Sequence, residues 1–303
     1  YCHHNENGLF STHESDYVLV DGCDIDSNGR AAGVGEPHRT HNFYFNSKHQ
    51  MVKGSYIHSS TEGENFKSRG GNVIFAYNWV DEEAIYSVAV DSANEMNTLW
   101  LGNVVVKRTT LGHNQGRLLG VGDGTGVARG TLVAVNNTFV TIFPRDFYLF
   151  TEWTAETNVV LINNVFAGMG EVFLEKHGKG EVTGKNNWIM KFAADVPEGL
   201  VGTIRGEAPG FVDGDGFDFH LREGSPLADA GVSTEEYQAA IKMVLDNSKS
   251  GTDAAPSKEW LAALAEIEKP TPSYSPKRKA TGEAGRTVEG GIDIGAYELV
   301  KGK

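Results

Sequence analysis

The chain has 303 residues, 40% hydrophobic and 22% charged, with 37 glycines; that composition can bury a sizeable core and favours a turn-rich β protein over a helical one. Its formal net charge of −13, from 27 Lys+Arg against 40 Asp+Glu, excludes a general nucleic-acid or anionic-membrane surface, so a polyanionic partner needs a local basic patch. No apolar run approaches the roughly 20 residues that span a bilayer, and the start at Tyr1 reads as a chain from which a leader or an earlier segment has been removed.

From the N-terminus onward one pattern recurs: a short β-branched run, a Gly or Asn pair, then a second short apolar run. It reads VLVDGCDI around Cys23, MVKGSYI around Ser55, VIFAYNWV around Asn78, LWLGNVVV around Asn103, LVAVNNTFV around Asn137, VVLINNVF around Asn164 and EVTGKNNWI around Asn187. The steps are 32, 23, 25, 34, 27 and 23 residues, the size of one rung of a parallel β-helix, the longer ones carrying an inserted loop. The runs are short, alternating and rich in Val and Ile, without the 3.6 period of an α-solenoid. Asn tolerates left-handed backbone, so an Asn at each corner is expected to take that conformation and to stack on its neighbours. Cys2 and Cys23 lie about one coil apart and read as two buried free thiols, a disulfide between neighbouring coils being the alternative.

A second strand belongs to each rung: GLFST (8–12), FYFNS (43–47), FKSRG (66–70), VAVDS (88–92), GVGDG (120–124), LFTEW (149–153) and LEKHG (174–178). Aligning the last six gives an inward column of Phe43, Phe66, Val88, Gly120, Leu149 and Leu174. The outward column then holds Asn46, Arg69, Asp91, Asp123, Glu152 and His177, with Tyr44, Lys67 and Glu175 two residues earlier and the aromatics Phe150 and Trp153 beside it. Rungs lie about 4.8 Å apart, so such a row of ionisable and aromatic groups reads as a saccharide cleft, and Asn46, Asp91, Asp123, Glu152, Trp153 and His177 as its substrate-binding residues. A solvated sheet face with compensating charges is the plain alternative.

The repeat fades after about Trp188. Segment 233–247 opens with a capping-box pattern, Ser233 with Glu236, and continues at helical spacing; 257–268 reads as a second helix. The expected organisation is therefore 1–190 as β-helix rungs and 191–303 as a C-terminal cap region of the same domain, its helices capping or flanking an otherwise open solenoid end. His3, His4, His38, His41, His58 and His113 show no metal-ligand spacing within one element and read as surface or hydrogen-bonded residues. The Gly-rich 120–130 lacks the Lys-Ser/Thr of a phosphate loop.

DFHLREGSPLADAG (218–231) with the later DIGAYE (293–298) resembles the C-terminal signature of secreted bacterial right-handed parallel β-helix proteins of the pectate-lyase-like superfamily. HNFYFN…GENFKSRGGNVIFAYN (41–78) is similar to a motif of an uncharacterised branch of it. The resemblance implies an all-β solenoid, secreted or periplasmic, and leaves the chemistry open, since the superfamily holds lyases, hydrolases, epimerases and non-catalytic members. Ser47-Lys48 followed by Arg69-Gly70-Gly71 also resembles the S-K…R-x-G pattern of chondroitinase-B-like and alginate lyases, implying a Lys base and an Arg one rung later. The calcium-binding carboxylates of those lyases are replaced here by His41, Asn42 and Phe43.

The chemistry of the row divides. β-Elimination from a uronate needs a cation beside the carboxylate and a base for the α-proton. Arg69 supplies the first, and Lys67, Lys48, Tyr44 or His41 the second. Stacked Asp91, Asp123 and Glu152 would instead raise a pKa, hold a cation such as Ca²⁺, or furnish the acid and base of a hydrolase. The leading expectation is a lyase acting on an acidic, uronate-containing polysaccharide; a glycoside hydrolase using Asp91 and Asp123 and a non-catalytic sugar-binding solenoid are its rivals.

Overall fold

The computed structural model describes residues 1–29, 40–61, 63–82, 86–90, 95–108, 117–122, 127–144, 147–151, 155–248, 255–272, 274–278, 283–284 and 288–299. Among these, three parallel sheets of seven, eight and nine strands form the wall of a parallel β-helix. Each rung visits them in that order. Phe43–Phe45, His49–Lys53 and Tyr56–His58 make one rung, and Glu64–Ser68, Asn72–Ala76 and Trp79–Glu82 the next. Phe43 pairs with Phe66, Met51 with Ile74 and Ile57 with Val80, all parallel.

Alternation along these short strands sends one set of side chains inward. Phe66, Phe75, Trp100, Phe139 and Phe166 are at most 1% exposed and stack through the interior with ring separations of 4.6, 4.6, 6.4 and 5.1 Å. The inward column of the seven-stranded sheet holds Phe43, Phe66, Leu119, Leu149 and Leu174, with Val88 in backbone register between Phe66 and Leu119. The expected Gly120 is displaced by one position: Gly120 pairs with Ala89 and Phe150 and belongs to the outward set. A one-residue slip exchanges the two faces, so the level of Arg69 and His177 falls to Gly122 on this rung.

The asparagine ladder is present, with a different division of labour. Asn78, Asn103, Asn137, Asn164 and Asn187 are fully buried. From Asn103 onward the Oδ1 of each accepts from the backbone N–H and Nδ2 of the Asn before it at 2.8 to 3.1 Å, and Asn78 Oδ1 accepts from Ser55 N–H at 3.0 Å. None of these five has positive φ. The left-handed residue is the one before, Tyr77, Gly102, Asn136, Asn163 and Asn186, as Gly54 is before Ser55 on the earlier rung, all at φ between 53° and 63°. Corner geometry and ladder hydrogen bonding thus fall to two adjacent residues. A second buried amide column, Asn28, Asn42 and Asn65, turns the opposite corner of the first rungs. It gives way to Leu118, Tyr148 and Phe173 at the same position of later rungs.

Parallel pairing extends beyond Trp188, through Leu200–Val201 and Ile204–Gly206. The described residues that follow lie along the solenoid wall. Helices α1 (Thr234–Ser248) and α2 (Lys258–Ile267) do not cap an end; Tyr237, Ile241, Val244, Trp260, Leu264 and Ile267 pack on Met51, Ile74, Leu99 and Val133 of the eight-stranded sheet. Helix α1 opens with the expected reciprocal cap, Ser233 N–H to Glu236 and Glu236 N–H to Ser233 Oγ. The 218–231 and 293–298 segments bury Phe219, Leu221, Leu227, Ile294, Ala296 and Tyr297 against Val104, Val106, Val140 and Val165 of the nine-stranded sheet. Asn136 donates to the Asp293 and Gly295 carbonyls, and Asn163 accepts from Val232 N–H. Cys2 and Cys23 are free and half-buried.

Candidate functional site

The C-terminal strap therefore lies on two of the three sheet faces. The described strap residues bury their apolar side chains on the eight- and nine-stranded sheets, and on the outer face of the seven-stranded sheet the first rungs assemble a connected polar cluster.

In Phe43–Phe45 both phenylalanines point inward, 0% and 2% exposed, so Tyr44 faces out. In Glu64–Ser68 the inward Phe66 and Ser68 likewise turn Lys67 out, directly beside Tyr44 in the register. Phe10 occupies the same level of the first rung, 56% exposed, with its ring 5.6 Å from that of Tyr44. Past the strand end, Arg69 donates its N–H to the Phe45 carbonyl and lays its guanidinium 5.6 Å from the Tyr44 ring centroid. On the other side the His41 ring is 5.4 Å from Tyr44. Four of the five expected catalytic residues, His41, Tyr44, Lys67 and Arg69, thus come together.

The residue that sequence reasoning missed is Glu64. Its Oε2 is 2.6 Å from His41 Nδ1, the two side chains 4% and 2% exposed, and its Oε1 is 3.6 Å from Lys67 Nζ. The Glu64 N–H also points at His41 Nδ1, at 3.0 Å. One nitrogen cannot accept from the amide and donate to the carboxylate together, so the two contacts are alternatives. A signal was available: His41 and Glu64 both stand two residues before an inward Phe, so the alignment that stacked Tyr44 on Lys67 also stacks this pair. Gly63, at φ +113°, makes the fit possible, because a Cβ there would lie 2.4 Å from the Thr40 carbonyl and 2.6 Å from His41 Nδ1.

The remaining expected residues sit elsewhere. Lys48 is at the next corner, where it pairs with Asp16 at 2.7 Å. Asn46 stands level with Arg69 but turns its amide onto the Ser11 carbonyl at 3.2 Å. His177 pairs with Glu175 at 2.8 Å, four rungs from Arg69 and so roughly 19 Å away. Asp91, Asp123, Glu152 and Trp153 lie outside the described residues. No group of three or more His, Cys, Asp or Glu that would hold a metal occurs among the described residues; the carboxylates read as a cation site, Asp91, Asp123 and Glu152, are not among them.

Chemically the cluster offers two cations and a phenol around one buried His–carboxylate pair, a basic patch on an acidic protein. No family profile matches the chain, and searches of curated proteins and of solved structures return no match.

Proposed function

We propose that the chain is a lyase of the pectate-lyase-like type, acting outside the cytoplasm on a uronate-containing polysaccharide. The carrying observation is the convergence of Arg69, Lys67, Tyr44 and the His41–Glu64 pair on the first rungs of the seven-stranded sheet. Arg69 suits the uronate carboxylate because a guanidinium binds it bidentately and keeps its charge near neutral pH. Lys67 already has a carboxylate neighbour in Glu64 and serves as second cation and proton donor in place of the expected base. Tyr44, its hydroxyl proton passed first to solvent, takes the C5 proton; the C–H electron pair becomes the C4–C5 double bond as the C4–O4 bond breaks, and O4 leaves with a proton from Lys67. His41 and Glu64 hold one edge of Tyr44.

The test is the ultraviolet absorbance of the new double bond, screened across alginate, pectate and glycosaminoglycans. Arg69→Ala is expected to abolish it with the melting temperature nearly unchanged, Arg69→Lys to recover part of the rate, and Tyr44→Phe to lower kcat by about 10²–10⁴. Absence of absorbance with every uronate polymer defeats the proposal, and reducing sugar without absorbance would replace it with hydrolysis.

A further inference from the structure

The outward column that carries Tyr44 and Lys67 begins one rung earlier, at Phe10. Its neighbours in Leu9–Ser11 fix the direction of its side chain. Leu9 packs against the core, and the Ser11 hydroxyl, on a residue 7% exposed, bonds that of Ser47 at 3.1 Å. Alternation along the strand then turns the Phe10 ring outward, where it is 56% exposed, an apolar surface that the fold leaves in water.

The ring continues the surface of the cluster. Its centroid is 5.6 Å from that of Tyr44, and Tyr44 in turn carries the Arg69 guanidinium at 5.6 Å. Around Phe10 the charge has the opposite sign, since residues 5–16 hold Glu6, Glu14 and Asp16 and no Lys or Arg. A sugar that touches Phe10 therefore does so by the apolar face of its ring, whose C–H bonds meet the negative face of the phenyl group, and not by a carboxylate.

Spacing and chemistry together give the occupant a direction. Neighbouring rungs lie about 4.8 Å apart, close to the advance of one pyranose along a polysaccharide. In the elimination proposed above, the uronate has its C5 proton at Tyr44, on the second rung, and its O4 at Lys67, on the third. C1 lies across the ring from C4, so it points back toward the first rung. The sugar attached there, on the reducing side, comes over Phe10.

We infer that Phe10 is the platform of a substrate subsite and holds, by its ring, the sugar on the reducing side of the uronate under attack. The inference rests on the reading of the Tyr44 cluster as the uronate site, and it adds a chain polarity and a substrate longer than one residue.

The experiment is an NMR titration of the full chain, with Tyr44→Phe introduced to slow cleavage while keeping the ring. The ligands are tetramers prepared from pectate, alginate and hyaluronan, and the corresponding monomeric uronates. At least one tetramer should bind saturably. Phe10→Ala should weaken that binding about tenfold, by the same factor at low and high salt because no charge is removed. The affinity for the monomer and the melting temperature should not change, and Phe10→Trp should preserve tetramer binding. A spin label on the reducing end of the bound tetramer should broaden the amide resonances of Leu9–Ser11 more than those of Val172–Lys176. The inference is overturned if no tetramer binds, if Phe10→Ala leaves tetramer affinity unchanged, or if the label broadens the far strand instead. An equal loss for monomer and tetramer would also overturn it, because Phe10 would then only prop Tyr44. Phe10-dependent tetramer binding without any new absorbance from the wild type would sink the lyase reading and leave the platform; new absorbance with tetramer binding indifferent to Phe10→Ala would do the reverse.

Discussion

Asn137 is hydrogen-bonded on both sides of its rung: its Oδ1 accepts from Asn103, and its amide donates to Asn164 and to the Trp100 carbonyl. Asn137→Ala leaves buried donors and acceptors without partners and should cost about 3 kcal/mol in chemical denaturation, with no change in chemistry. Its neighbour type behaves differently. Asn186, at φ 53°, holds the left-handed corner, and its Nδ2 reaches only a half-buried contact at the Ala230 carbonyl. Asn186→Gly relieves the backbone while losing that bond, so the net change should stay within about 1 kcal/mol. The Asn pairs were legible in the sequence, but which member bends the chain was not, because either residue of a pair can adopt positive φ and only the register decides. At the site, Gly63→Ala should displace His41 from Glu64; loss of turnover together with a lowered melting temperature is expected, since both the Thr40 carbonyl and the His41 ring stand where the methyl would go.

Among the elements, the two helices were legible from caps and apolar spacing, and their site of docking was not. Amphipathic spacing says that a face is buried, never which sheet buries it. A similar limit explains the slip at Gly120: a strand reading Leu-Leu-Gly-Val offers no side chain to reveal which face its glycine takes, and alternation alone allows either register. Helix α2 also brings a pH dependence. His49 is 1% exposed, stacked on Tyr17 at 4.8 Å and facing Trp260 at 6.2 Å. Burial pushes its pKa below the ordinary 6.5, against the pull of nearby Asp16, and Lys48 adds to the lowering. A folded pKa below the unfolded one means that, as pH falls under about 6.5, the unfolded chain takes up a proton the folded chain refuses. Stability should therefore fall with acidification through that window, and His49→Phe should flatten this part of the curve; equal slopes for wild type and variant between pH 5 and 7 would refute it.

For the whole molecule, the solenoid and its period were legible because each rung repeats the same local pattern, while the strap has no period and could be placed only by seeing what it covers. Deleting residues 208–303 exposes Met51, Ile74, Leu99, Val133, Val104, Val140 and Val165 on two faces. Each large side chain so uncovered forfeits roughly 1.5–3 kcal/mol, so the shortened chain is expected in the insoluble fraction, or as soluble aggregates by light scattering. The strap also changes how the molecule would come apart under load. A bare stack of coils holds each turn only by its neighbours, and such an array peels from one end in small, even steps. Here Arg278 is tied to Asp81, Glu266 to Lys53, Asp293 and Gly295 to Asn136, and Ala296 to Thr138, which bolts distant turns to one returning segment. Pulled from its two ends in an optical trap, the chain should resist until the segment tears away and then yield in one long extension, rather than in a sawtooth with the spacing of a single turn.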